Sequence, residues 1–65
     1  MTISERLLEV KVALEPVSEK LKQIERELPE KGATRMIVEI CWLKVEAVEI
    51  ALDREAGILQ KAGVE

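Results

Sequence analysis

Aliphatic residues recur along the first 28 positions at alternating steps of four and three residues. These residues lie on the first predicted helix, α1, and are together called the α1 seam. Its members are Ile3, Leu7, Val10, Leu14, Val17, Leu21, Ile24 and Leu28. A period of 3.5 residues held for almost four heptads is what an α-helix needs to lie along another helix. The pattern therefore predicts a long first helix with one narrow apolar stripe.

Local signals define the start of this helix and raise one conflict within it. Thr2 followed by Glu5 matches a capping box, in which the two residues satisfy each other's free backbone N–H groups.

Pro16 removes one helical hydrogen bond at a cost of ~3 kcal/mol. The heptad phase nevertheless continues from Leu14 to Val17, so we expect one helix kinked at an outward-facing Pro16. The alternative is a pair of short helices that meet there.

The segment 29–32 predicts a turn between two helices. Pro29 disfavours helical geometry in the residue before it, and Gly32 accepts turn conformations that other residues avoid. We expect helix 1 over about 3–28, the turn at 29–32 and helix 2 over about 33–62, with Gly63 closing the second helix. A loop this short makes the helices antiparallel. Residues 1–65 are thus predicted to form a single all-α domain, an antiparallel two-helix hairpin.

The second helix is apolar around most of its circumference. Six of its polar residues fall in one stripe roughly 80° wide at 100° per residue; they are Arg35, Glu39, Glu46, Glu49, Asp53 and Gln60. One partner helix covers about 100° of arc, so the first helix can hide only part of the remainder. We therefore expect self-association into a homodimeric four-helix bundle or a tetramer. The predicted oligomer interface consists of Ile37, Ile40, Cys41, Lys44, Val48, Ala51, Leu52, Glu55 and Leu59.

Two charged residues project onto the apolar side of helix 2. Lys44 and Glu55 are eleven residues apart and point in directions that differ by about 20°. If two copies of this helix pack antiparallel near Glu49 and Ile50, Lys44 of one chain approaches Glu55 of the other and the pair sets the register. The alternative is that both long side chains reach out to solvent at the rim.

Trp42 and Cys41 are the remaining candidates for a specific role. Trp42 lies on the polar side of helix 2, where it is a candidate contact for a partner protein or a cap on the subunit interface. Cys41 points to the apolar side, where a thiol is expected to act as a small hydrophobic residue, with redox chemistry as the alternative.

Composition narrows the classes of function. The chain has one Cys and no His, which excludes an internal disulfide and argues against a conventional zinc site. A net charge of −3 gives no basic footprint for nucleic acid. Charged residues interrupt the longest apolar region, and the start lacks a signal peptide, so we expect no membrane span and a cytoplasmic location.

The sequence offers no arrangement for catalysis. It has no nucleophile with a base, no glycine-rich phosphate loop and no inward pair of carboxylates, so we expect neither enzymatic activity nor a cofactor. Acidic residues of helix 2 form a strip expected to face solvent, with a weak divalent-cation site as the alternative. The strip consists of Glu39, Glu46, Glu49 and Asp53.

Two long antiparallel helices joined at Leu28-Pro29-Glu30-Lys31-Gly32, with a heptad seam, resemble the Rop-like helical-hairpin proteins across the whole chain. The resemblance implies a four-helix bundle and, as an alternative to a protein partner, RNA held by the paired first helices. The cations that helix 1 offers for this are Arg6, Lys11, Lys20, Lys22 and Arg26. They are interspersed with glutamates, and helix 1 has no aromatic residue. We therefore expect a self-associating protein-interaction or structural module, with an RNA-binding regulator as the alternative.

Overall fold

The computed structural model describes residues 1–63 and places two α-helices in them, α1 (Ile3–Glu27) and α2 (Ala33–Ala62). The helices pack side by side and antiparallel, and residues 1–63 contain no strand. The molecule is a rod with extents of 49 × 15 × 10 Å. The prediction of an all-α two-helix hairpin is confirmed.

The N-terminus of α1 forms the predicted capping box. The Thr2 hydroxyl accepts a hydrogen bond from the Glu5 backbone N–H at 3.2 Å, and the Thr2 N–H donates to the Glu5 carboxylate at 3.4 Å. Two backbone donors that the helix itself cannot satisfy are therefore paired. A carboxylate in the first turn also interacts favourably with the helix dipole.

The helix α1 continues without interruption through Pro16. Pro16 and Val12 are both exposed, so the Val12 carbonyl that loses its helical partner lies on a part of the helix that water reaches. The prediction of one helix through an outward-facing Pro16 is confirmed, the alternative of two short helices is wrong, and the kink stays a prediction.

Backbone geometry at the turn and at the end of α2 follows from three residues. Leu28 is extended, with φ −85° and ψ 153°, because Pro29 follows it. For that reason α1 ends at Glu27, one residue before the predicted limit. Arg35 closes the turn by donating from Nη1 to the Leu28 carbonyl at 2.9 Å. Gly63 follows α2 with φ 64° and ψ 30°, a left-handed conformation that favours glycine, as predicted.

Candidate functional site

The line of closest contact between the helices is polar rather than apolar. Among the described residues, only Ala56, Ser4 and Ser18 are buried. They belong to two rows with heptad spacing that face each other across the hairpin and whose other members are half-buried. The rows, together called the polar seam, are Ser4, Lys11, Ser18 and Glu25 on α1, and Arg35, Trp42, Glu49 and Ala56 on α2. The tightest packing within a single chain therefore involves small and charged side chains.

Apolar rows lie beside the polar seam and are only half-buried. Each member is seven residues from the next, so that each row follows one line along its helix. These inner rows are Leu7, Leu14, Leu21 and Leu28 on α1, and Val38, Val45, Leu52 and Leu59 on α2. A leucine of a complete core is usually buried. These rows therefore form one side of a core, and the other side is open.

A second apolar row on each helix is exposed. On α1 it is the other half of the α1 seam, and its side chains retain between 44% and 51% of their full exposure. The members of these outer rows are Ile3, Val10, Val17 and Ile24 on α1, and Cys41 and Val48 on α2, where the charged Glu55 continues the same line. Both outer rows lie on the same edge of the hairpin, since the ion pairs between the helices occupy the opposite edge. The hairpin thus has one polar edge and one apolar edge.

Two ion pairs between the helices define the polar edge. Lys22 Nζ lies 2.7 Å from Glu46 Oε2, and Lys11 Nζ lies 3.4 Å from Asp53 Oδ1. Glu46 and Glu49 are half-buried. The prediction that the acidic strip faces solvent is therefore wrong for these two residues, because the lysines of α1 draw this side of α2 into the contact.

Trp42 lies within the hairpin, close to the turn. Its indole Nε1–H donates to Glu25 Oε2, and Lys22 Nζ lies 5.0 Å from the centre of its ring, within cation–π range. The other Glu25 oxygen lies 4.0 Å from Nε of Arg35. These contacts hold α1 and α2 together near the turn. That Trp42 also contacts a partner protein stays a hypothesis.

Lys22 is the titratable group most affected by this arrangement. The hydrogen bond to Glu46 raises the pKa of its ammonium group above the ordinary value of 10.5, although burial acts in the opposite direction. The charges of Glu46, Glu19 and Glu49 add to the increase. The protonated form of Lys22 is therefore the one that the hairpin stabilises.

In residues 1–63, two side-chain oxygens of the polar seam are buried without a hydrogen-bond partner, Ser18 Oγ and Glu49 Oε1. Both residues line an open surface cavity of about 270 Å³, together with Glu15, Glu19 and Glu46. Sequence reasoning did not identify Ser18 or Ser4 as contact residues. The signal was present, because positions 4, 11, 18 and 25 repeat with the same heptad spacing as the apolar rows.

The predicted oligomer interface is largely open in the single chain. Leu52 and Leu59 are half-buried in the inner row of α2. The remaining members are exposed, and these are Ile37, Ile40, Cys41, Lys44, Val48, Ala51 and Glu55. Neither Lys44 nor Glu55 forms an ion pair with another residue of the described range.

The cations of α1 are partly engaged inside the hairpin. Lys11 and Lys22 pair with carboxylates of α2, and Arg26 donates from Nε to the Lys22 carbonyl at 3.4 Å. Arg6 and Lys20 are exposed. A surface for RNA on α1 would therefore depend chiefly on those last two side chains and on Arg26.

Over residues 1–63, neither helix combines the length and the apolar character needed to cross a bilayer. In the same range, no three His, Cys, Asp or Glu side chains come together as ligands for a metal ion. No protein-family profile, curated protein or solved structure matches the chain.

Proposed function

We propose that this chain is the subunit of a homo-oligomeric helical bundle that acts as a protein-interaction or structural module. The observation that carries the proposal is the position of the apolar residues relative to the helix contact. The most buried side chains are Ser4, Ser18 and Ala56. The leucines of the α1 seam are only half-buried, and its other members are exposed. A second hairpin packed on the apolar edge would turn the inner and outer rows into the layered core of a four-helix bundle.

The chain exposes more surface than a folded monomer of its mass is expected to expose, and the excess supports this proposal. The chain exposes 5007 Å², whereas a folded monomer of 7.3 kDa is expected to expose roughly 4,200 Å². The difference is roughly 800 Å², which is about what one partner buries in a stable protein interface. The surplus follows from the elongated shape, since a rod of two helices has little interior. A dimer of two such rods would have to bury about this area from each chain.

The mass of the folded species in solution tests the proposal. Size-exclusion chromatography with light scattering is expected to give at least twice the chain mass of 7.3 kDa at micromolar concentration. Val17→Glu, in the outer row of α1, is expected to weaken the assembly, because it places a charge in the new core. Gln23→Glu is the matched control, since Gln23 is polar, exposed and outside the seam. A folded wild-type species of 7.3 kDa that persists on dilution would overturn the proposal.

RNA binding is the alternative that the resemblance to Rop-like hairpins implies. A gel shift with structured RNA at low salt separates it from a protein-interaction role, because binding through phosphate contacts is strongly salt-dependent. The engagement of Lys11 and Lys22 with carboxylates favours the protein-interaction role. A shift at micromolar protein that disappears at 200 mM salt would favour RNA.

A further inference from the structure

A groove runs along the polar edge between α1 and α2. It consists of two adjacent open cavities, of about 270 and 340 Å³, that are both lined by Glu46 and Glu49. This surface, called the acidic groove, carries the carboxylates of Glu15, Glu19, Glu46, Glu49 and Asp53. It lies on the edge opposite to the outer rows, so a dimer that forms through the apolar edge leaves it open.

The net negative charge of the chain is concentrated in this groove. Two lysines of α1, Lys11 and Lys22, pair with carboxylates of the groove. The five carboxylates and these two lysines give the groove a net charge of −3, which equals the net charge of the whole chain. The other charged side chains therefore cancel one another. Within the described range Glu15 and Glu49 form no ion pair, so the groove attracts a cation from outside the hairpin.

Buried polar atoms of the groove lack a hydrogen-bond partner. Ser18 retains 3% of its full exposure, and neither its Oγ nor Glu49 Oε1 has a partner within residues 1–63. A carboxylate oxygen buried without a donor costs free energy, since it has lost its contact with water. The terminal torsion of a glutamate is broad, so the Glu49 carboxylate can turn toward a donor that enters the cavity. The groove is thus rich in acceptors and lacks donors.

We propose that the acidic groove binds an arginine side chain of a partner protein, with the guanidinium at Glu49 and the methylene stem on Ile50. A guanidinium carries five N–H donors in a planar fork that matches a carboxylate, and it stays charged at every physiological pH. Ile50 lines the same groove and retains 70% of its full exposure, so the apolar stem of an arginine can cover it. Charge complementarity therefore identifies the partner as a protein that presents an arginine in a basic segment.

The inference names the chemistry of a partner, and in this respect it rests on the proposed protein-interaction role. It does not depend on the number of chains in the assembly, because a single hairpin supplies every residue of the groove. The mass of the assembly and the affinity for an arginine peptide are therefore independent measurements, and either can fail alone.

Three short peptides test the chemistry of the ligand. Titration of the isotope-labelled chain with tetra-arginine amide at low salt, followed by NMR, is expected to shift the backbone amide signals of Ser18 and Glu49. The signals of the outer row on α1 are expected to stay in place. Tetra-lysine amide has the same charge without the planar fork and is expected to bind about threefold more weakly. Tetra-citrulline amide keeps the shape of arginine without its charge and is expected not to bind at concentrations at which tetra-arginine amide saturates the groove.

Removal of one carboxylate tests the position assigned to the guanidinium. Glu49→Gln is expected to weaken the binding of tetra-arginine amide about tenfold, because a charge-assisted contact becomes a neutral one. Glu27→Gln is the matched control, since it changes the net charge equally at an exposed carboxylate on the side of α1 that points away from α2. It is expected to change the affinity by less than about twofold, because solvent and salt screen a charge at that distance.

A second variant keeps the test valid if Glu49→Gln alters the hairpin itself. Glu15→Gln with Glu19→Gln removes two exposed carboxylates of the groove and is expected to weaken binding about fivefold. Its matched control, Glu9→Gln with Glu27→Gln, removes the same charge from the opposite side of α1.

The outcomes separate this inference from the proposed function. Equal affinity for the arginine and citrulline peptides, or groove variants that bind as tightly as their controls, would overturn the inference. Equal affinity for the arginine and lysine peptides would overturn the assignment of a guanidinium. In each case an assembly of at least twice the chain mass of 7.3 kDa leaves the proposed function in place. A folded monomer that binds tetra-arginine amide would instead overturn the homo-oligomer and support the groove.

Discussion

Single residues decide which side of α2 meets α1. Lys22 contacts both Glu46 and the ring of Trp42, and Glu25 accepts a hydrogen bond from Trp42, so that four side chains join the helices. Apolar packing alone would have turned the apolar side of α2 toward the α1 seam. These polar contacts instead turn the boundary between the polar and apolar sides of α2 toward α1. The apolar residues are left at one edge, where another chain can reach them.

The Lys22–Glu46 pair predicts a titration that NMR can follow. We expect the Lys22 ammonium to titrate above its ordinary pKa of 10.5, and Glu46→Gln to lower that pKa toward 10.5, since the strongest cause is removed. A group whose pKa is raised by folding stabilises the folded state. That stabilisation is fully present at pH values below the pKa of the group in the unfolded chain, and it is lost as the pH rises through its pKa in the folded chain. The contribution of Lys22 should therefore decline only above the ordinary value of 10.5. Glu39→Gln, at an exposed carboxylate of α2, is the control, and an unchanged Lys22 pKa in Glu46→Gln would contradict the expectation.

At the level of the helices, the sequence predicted what local signals control. The capping box at Thr2, the end of α1 before Pro29 and the left-handed Gly63 each depend on a few adjacent residues, so the pattern alone identified them. The sequence did not reveal which row of each helix lies at the centre of the contact. Polar and apolar rows share the same heptad spacing, and the choice between them depends on residues distant in sequence, such as Lys11 and Asp53.

Pro16 gives a prediction about the stability of α1. We expect Pro16→Ala to raise the free energy of unfolding by about 2 kcal/mol. The N–H of alanine restores the bond to the Val12 carbonyl, and the greater freedom of the unfolded chain offsets part of that gain. Lys20→Ala is the control, since it places alanine at another exposed position of α1 without changing a backbone bond. Urea unfolding at one fixed protein concentration measures both. Equal stability of the wild type and Pro16→Ala would show that the proline costs nothing in this helix.

On the scale of the whole molecule, the hairpin has little interior of its own. A compact chain of 65 residues buries a smaller share of its surface than a larger domain does, and this one is a rod only 10 Å thick along its shortest axis. The only buried hydrophobic residue in the described range is Ala56. In the proposed assembly, contacts between chains would supply most of the apolar burial, and folding and assembly would form one equilibrium.

That coupling predicts a melting temperature that depends on protein concentration. The wild-type Tm, followed by circular dichroism, is expected to rise with each tenfold increase in concentration, since mass action favours the associated and folded chains. Val10→Glu with Val17→Glu is expected to lower the Tm at every concentration, because two charges enter the row that would form the shared core. The matched control, Gln23→Glu with Lys20→Gln, makes the net charge more negative by the same two units at exposed polar positions of the same helix and is expected to change the Tm much less. A Tm that stays constant over a hundredfold range of concentration would mean that the isolated hairpin is stable without a partner.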